Sequence, residues 1–164
     1  MSKLSGAILA VLVLVFPAHA DEAKVVGKWR AEYALSSKDK PQVAWLLELE
    51  KGGTFRMTEL APNAPEKVRK EMEKVETGRW RIIEPSLTEK LKSIASKTAT
   101  RVRLQFAPTS DDVKRGETRE YIGRVVEKNE RYNGKTTLHL TATSALEGRA
   151  GNRAVSSYNF VRVE

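Results

Sequence analysis

The sequence predicts an all-β fold with two short helices, built as an eight-stranded antiparallel up-and-down barrel. Three observations predict it. Apolar residues recur mostly with a period of two, the spacing of half-buried strands. Eight such runs follow one another, separated by turns such as Lys51-Gly52-Gly53 and Asn133-Gly134 or by a helical stretch. There is no cysteine, so a hydrophobic core rather than a disulfide framework must hold the chain together. A sandwich is the alternative closure. A barrel is preferred because it removes the sheet edges, and its interior is then filled by side chains or holds one small ligand.

The first twenty residues stand apart from this pattern. Lys3 supplies a positive start, "AILAVLVLVF" (7–16) is an uncharged apolar run, Pro17 breaks it, and Ala18-His19-Ala20 precede Asp21-Glu22. That order is a secretory signal peptide. Ten residues at 1.5 Å each cover only about half of a ~30 Å hydrocarbon core, so the run does not span a membrane. Residues 1–20 are therefore expected to be cleaved, leaving 21–164 as a single barrel domain exported to the periplasm or beyond. Without cysteine it carries no lipid anchor and is expected to be soluble, and a monomer is favoured. One lysine leaves with the signal, so the net charge falls from +8 to +7. That charge serves solubility, or attraction to an anionic envelope component or an acidic protein.

The strands follow in order. In "VVGKWRAEY" (25–33), Val25, Gly27, Trp29, Ala31 and Tyr33 share one face and the charged residues the other. "VAWLLELE" (43–50) turns Val43, Trp45, Leu47 and Leu49 inward. "TFRMTEL" (54–60) does so with Phe55 and Met57, and "GRWRI" (78–82) with Gly78, Trp80 and Ile82. "RVRLQF" (101–106) buries Val102, Leu104 and Phe106, while "EYIGRVVE" (120–127) carries apolar residues on both faces. "TTLHLTAT" (136–143) presents Leu138, Leu140 and Ala142, and "SYNFVRVE" (157–164) places Tyr158, Phe160 and Arg162 on one face. Two segments break the period. Asn63 as N-cap, with Pro65 and Glu66, begins a helix to about Glu76 whose stripe is Val68, Met72 and Val75. Ser86 and Glu89 form a capping box for a second helix to about Lys97 with Leu87, Leu91 and Ile94. Each stripe is narrow, so each helix is expected to pack one-sidedly on the barrel or across its mouth. The loop 107–118 is polar.

"GKWR" (27–30) and "GRWR" (78–81) nearly repeat each other. Their flanks do not align, so they are not a duplication. Adjacent strand residues point to opposite faces, so tryptophan and arginine cannot form one base-stacking platform. With the export signal, this excludes nucleic acid as a partner. The remaining reading is steric: glycine two residues before an inward tryptophan leaves room for a ring or a crossing chain.

Gly27-Lys28-Trp29 on the first strand, with Arg162 on the last, resembles the lipocalin signature. "LELEKGGTF" (47–55), "GRWRI" and "YNFVRV" (158–163) are similar to the short exported lipocalin-like (calycin-type) domains of bacteria. The resemblance implies a barrel floor closed by Trp29 with Arg162 over its ring. It also implies a small apolar or amphipathic ligand in the barrel. The family's acidic-aromatic turn and terminal helix have no match here.

Chemistry is sparse. After cleavage His139 is the only histidine, on an outward, threonine-rich face. No zinc-protease, nucleophile-elbow or phosphate-loop motif occurs, and Lys114 and Arg115 oppose a cation at Asp111-Asp112. No catalytic residue, metal site or cofactor is expected, and the chain is read as not an enzyme. The expected ligand lining is Phe55, Trp80, Phe106, Tyr121 and Tyr158. The alternative is an inhibitor or envelope-assembly factor with a solid core, acting through a basic outer face of Arg79, Arg81, Arg101 and Arg103 or through the 107–118 loop.

Overall fold

The computed structural model describes residues 18–34, 40–83, 99–109, 118–143 and 157–163. In chain order the elements are α1 (Ala18–Val25), β1 (Gly27–Tyr33), β2 (Val43–Leu49), β3 (Thr54–Leu60), α2 (Glu66–Met72) and β4 (Lys74–Ile83). They continue with β5 (Ala99–Pro108), β6 (Arg119–Asn129), a 3₁₀ turn (Glu130–Tyr132), β7 (Lys135–Ala142) and β8 (Ser157–Val163). Each strand pairs antiparallel with its sequence neighbours, and β1 pairs with β8 to close an up-and-down barrel. Neighbouring ladders are offset: residues 74–79 of β4 face β3, whereas 78–83 face β5. This stagger tilts the strands and makes closure possible. We call the end with α1 and the β2–β3 turn the floor, and the opposite end, with α2, the mouth.

Period two sets the inward face as expected. Trp29, Leu47, Phe55, Leu104, Leu138 and Phe160 are buried from six different strands. On β6 the ambiguity resolves with Tyr121, Gly123 and Val125 inward. At the β6–β7 connection Asn133 and Gly134 take φ of 55° and 75°, the left-handed pair that an Asn-Gly hairpin turn requires.

Several expectations are corrected. Val25 is fully buried, but it ends helix α1 rather than opening β1. Tyr33, expected inside, is 50% exposed, because β1 ends there at the mouth rim. The helix expected over 63–76 is only α2. Asn63 donates its side-chain amide to the Pro41 carbonyl, and α2 has no side-chain cap. The chain turns extended at Glu73, because Lys74 to Arg79 gain a full ladder against β3 that another charged helical turn could not match. Nor does α2 pack onto the barrel: it buries no residue, and Val68 and Met72 are exposed. β5 runs through Ala107 and Pro108, so the polar loop begins later than read. The second expected helix (86–97) and most of the 107–118 loop lie outside the described residues. Helix α1, across the expected cleavage point, was not anticipated.

Candidate functional site

The floor is built from the two ends of the chain. Trp29 and Arg162 face each other in the β1–β8 register, and the guanidinium carbon lies 4.7 Å from the ring centre. Arg162 Nη2 donates to the carbonyls of Lys24 (2.9 Å) and Val26 (2.8 Å), and Trp29 Nε1 donates to the Val25 carbonyl (2.8 Å). These acceptors sit at the C-terminal end of α1, where a helix leaves carbonyls unpaired and carries partial negative charge. Lys24 Nζ bonds Thr100 Oγ1 at 2.7 Å, pinning α1 to β5. A side chain on Gly27 would meet Arg162 at 3.5 Å. At Gly78 the constraint is tighter: a Cβ would stand 2.3 Å from the Ala107 carbonyl and 2.8 Å from the Phe55 ring. The two glycines thus answer different demands: a backbone φ of 142° at Gly27, where the contact with Arg162 is an ordinary one, and the close approach of a ring and a crossing strand at Gly78.

Toward the mouth, aromatic rings form a continuous chain. Phe55 meets Phe106 edge-on at 5.0 Å, Phe106 meets Tyr121 at 5.6 Å, and Tyr158 stacks on Phe160 at 5.3 Å. Four of the five expected lining residues, Phe55, Phe106, Tyr121 and Tyr158, gather around one pocket, which also touches Leu47 and Met57. Trp80 stands apart, donating its indole N–H to the Glu50 carbonyl (3.2 Å) at the β2–β3 turn. The pocket's free volume is ≈ 10 Å³, about the room one water needs. Around this pocket the space is filled by the described side chains.

Two charged residues that sequence reasoning missed, Glu76 and Arg119, meet at this pocket in an ion pair. Burial opposes the charge on Arg119, but the hydrogen bond and charge of Glu76 outweigh it and hold its pKa above the ordinary value. Burial likewise pushes the Tyr121 phenol up against the pull of Arg119, and pushes Tyr158 up further. The signal was present: Glu76 is in phase with Gly78 and Trp80, and Arg119 with Tyr121. Reading 63–76 as helix hid the first of these.

The outer face of β4–β6 carries Arg79, Arg81, Arg101 and Arg103, and the structure adds Arg124. Arg81 Nε donates to Gln105 (2.7 Å), Gln105 Nε2 to Glu120 (3.1 Å), and Arg103 Nη2 to Glu120 (2.9 Å). Arg79 reaches the Gly52 carbonyl at 3.4 Å. Arg101 stands directly opposite Arg124, which stands opposite His139. Like charges facing across a ladder destabilise it, and no carboxylate among the described residues pairs with either arginine. His139 is outward as expected, held between Asn159 Oδ1 and Thr141 Oγ1. On β1–β3, by contrast, Lys28 pairs with Glu48 and Arg30 with Glu32. No group of three or more metal-ligating side chains occurs among the described residues, and no described helix is long and apolar enough to cross a membrane. The chain matches no protein-family model, no curated protein and no solved structure.

Proposed function

We propose that this chain is an exported, non-catalytic, lipocalin-like barrel whose solid core serves as a scaffold, and that it acts from the basic outer face of β4–β6 on an anionic partner. Such a partner is an acidic protein or an anionic component of the envelope. One contrast carries the reading: the pocket among the inward aromatic rings leaves ≈ 10 Å³ of free space, while among the described residues the outer face of three strands sets five arginines against Glu120. Charges concentrated on one face raise the local concentration of an oppositely charged partner and speed encounter. The test is retention on an immobilised polyanion across a salt series. Arg101→Glu with Arg124→Glu should weaken retention far more than Lys28→Glu with Arg56→Glu, which changes the net charge equally. Equal loss from both pairs would mean that only total charge matters and would defeat the assignment.

Export is supported by the apolar run 7–16 and the small residues before Asp21. Cleavage after Ala20 leaves Lys24 and Val25, the residues of α1 that touch the floor. N-terminal sequencing of protein recovered outside the cytoplasm should begin at Asp21.

A second reading is favoured by one observation: the inward Glu76–Arg119 pair stands where a plain core would be apolar. A small amphipathic ligand entering at the mouth would lie on Phe55, Phe106, Tyr121 and Tyr158 after that pair parts. Native mass spectrometry of protein purified from its source should then show a co-purifying small molecule, and a spectrum of bare chain alone removes this reading.

A further inference from the structure

We propose that a groove on the outside of the barrel, between the β6–β7 connection and the exposed faces of β8 and β1, binds an acidic oligosaccharide. This site adjoins the basic face of β4–β6 across His139, but its contact residues are different ones. The groove has a volume of ≈ 1100 Å³, larger than the usual ~300–1,000 Å³ of a small-molecule site. Arg131, Tyr132 and Lys135 form one wall, Asn159 and Val163 the bed, and Arg30 the far side.

The wall is a built feature. A two-residue Asn-Gly turn would suffice to join β6 to β7. Instead the register slips between Val126 and Asn129, Lys128 adopts φ of 52°, and Glu130–Tyr132 form a 3₁₀ turn. The Asn129 side chain accepts from Arg131 N (3.1 Å) and donates to Thr137 Oγ1 (2.9 Å), locking the excursion onto β7. Bulges re-aim side chains, and a left-handed lysine persists only where its surroundings hold it. Here the result is that Arg131 and Lys135 stand exposed with no ion pair among the described residues, beside a Tyr132 that is 37% exposed.

The chemistry selects the ligand. Arg131 and Lys135 offer charge-assisted donors to carboxylates, and the Tyr132 ring offers an apolar face with a polar edge. Asn133, Thr136 and Asn159 supply the amide and hydroxyl groups that sugar hydroxyls require. Arg30 is held by Glu32 at 2.6 Å and so defines the rim rather than a charge contact. An acidic peptide of equal charge would satisfy Arg131 and Lys135 but would not bring the row of hydroxyls that Asn133, Thr136 and Asn159 are placed to meet.

The test titrates the whole exported chain with a linear oligogalacturonate by calorimetry. The controls are a neutral cello-oligomer of equal length and a polyglutamate peptide of equal charge. The acidic oligomer should bind, the neutral one at least tenfold more weakly, and Tyr132→Ala or Arg131→Glu with Lys135→Glu should each cost at least tenfold. Arg101→Glu with Arg124→Glu removes only longer-range attraction and should cost less than about threefold, which separates this site from the β4–β6 face. Melting curves confirm that the variants are folded, and amide shifts of Tyr132 and Asn159 in the unaltered chain locate the contact without any substitution. No binding, equal affinity for polyglutamate, or a loss from the β4–β6 reversal as large as that from Arg131→Glu with Lys135→Glu would each overturn the proposal.

Discussion

Trp29 is the residue on which most depends, because its ring is fully buried, its N–H is satisfied by Val25, and Arg162 covers one face. Trp29→Ala removes a fully buried ring and leaves a cavity at the floor, so it should cost ~3–5 kcal/mol. A thermal denaturation showing little change would refute the floor assignment. Gly78→Ala probes the opposite fault. Its Cβ would stand 2.3 Å from a strand carbonyl, so backbone rather than a flexible side chain must move. Overpacking of this kind costs ~1–3 kcal/mol, and the upper end is expected, read as a lowered urea midpoint. At the mouth, the tyrosines make a pH prediction. Tyr121 and Tyr158 have folded pKa values above the ordinary value near ~10. The folded barrel therefore holds phenolic protons that the unfolded chain releases. Their stabilisation is complete below about pH 10 and is lost as pH rises from there toward the folded values. Tyr158→Phe keeps the ring and removes one such proton, so its urea midpoint should fall less steeply above pH 10. Parallel slopes for variant and unaltered chain would contradict it.

At the level of elements, strands were legible because a two-residue period survives wherever one face is wet. The phase of β1, β2, β5 and β8 could be read directly, and with it Trp29, Phe106 and Tyr158. Elements whose stabilisation comes from elsewhere were not legible. The run 66–76 satisfies a helical pattern locally, but pairing with β3 claims it from Lys74 onward. Arg124 was hidden because Ile122 and Val126 flank it on the outward face of β6. Helix α1 was hidden because Ala18-His19-Ala20 also reads as a processing site. The contact of Glu76 with Arg119 depends on the stagger that brings β4 toward β6, and stagger is not written in any one strand. Helix α2 supplies a prediction at this scale. All its residues are exposed and a helix this short has little intrinsic stability, so it contributes nothing to the core. Val68→Lys with Met72→Lys should change unfolding free energy by less than ~0.5 kcal/mol. A larger loss in chemical denaturation would mean that the stripe is covered in solution.

For the whole molecule, eight alternating runs were enough to anticipate a closed barrel, but neither its free volume nor its weakest joint could be read in advance. Volume follows from how Phe55, Phe106, Tyr121 and Tyr158 interdigitate, which no spacing specifies. The joint follows from register. The β1–β8 seam pairs only Lys28, Trp29 and Arg30 with Val163, Arg162 and Val161, whereas β7–β8, the next shortest ladder, pairs five residues on each strand. Closure therefore leans on side chains more than on ladder bonds. Arg162 carries much of it, since one guanidinium holds the Trp29 ring from β8 and two carbonyls from the segment before β1. Local opening follows the regions with the least holding them, so the seam should open before the barrel unfolds as a whole. Native-state hydrogen exchange should accordingly show faster exchange for the amides of β1 and β8 than for those of β5 and β6. Arg162→Ala should accelerate the seam amides at least tenfold while leaving β5–β6 close to the unaltered rate. An opened seam exposes two unpaired strand edges, so the variant should also aggregate on heating well below the melting temperature of the unaltered chain. Uniform exchange around the barrel, or acceleration shared equally by β5–β6, would show instead that the barrel opens only as one unit and that Arg162 is not its clasp.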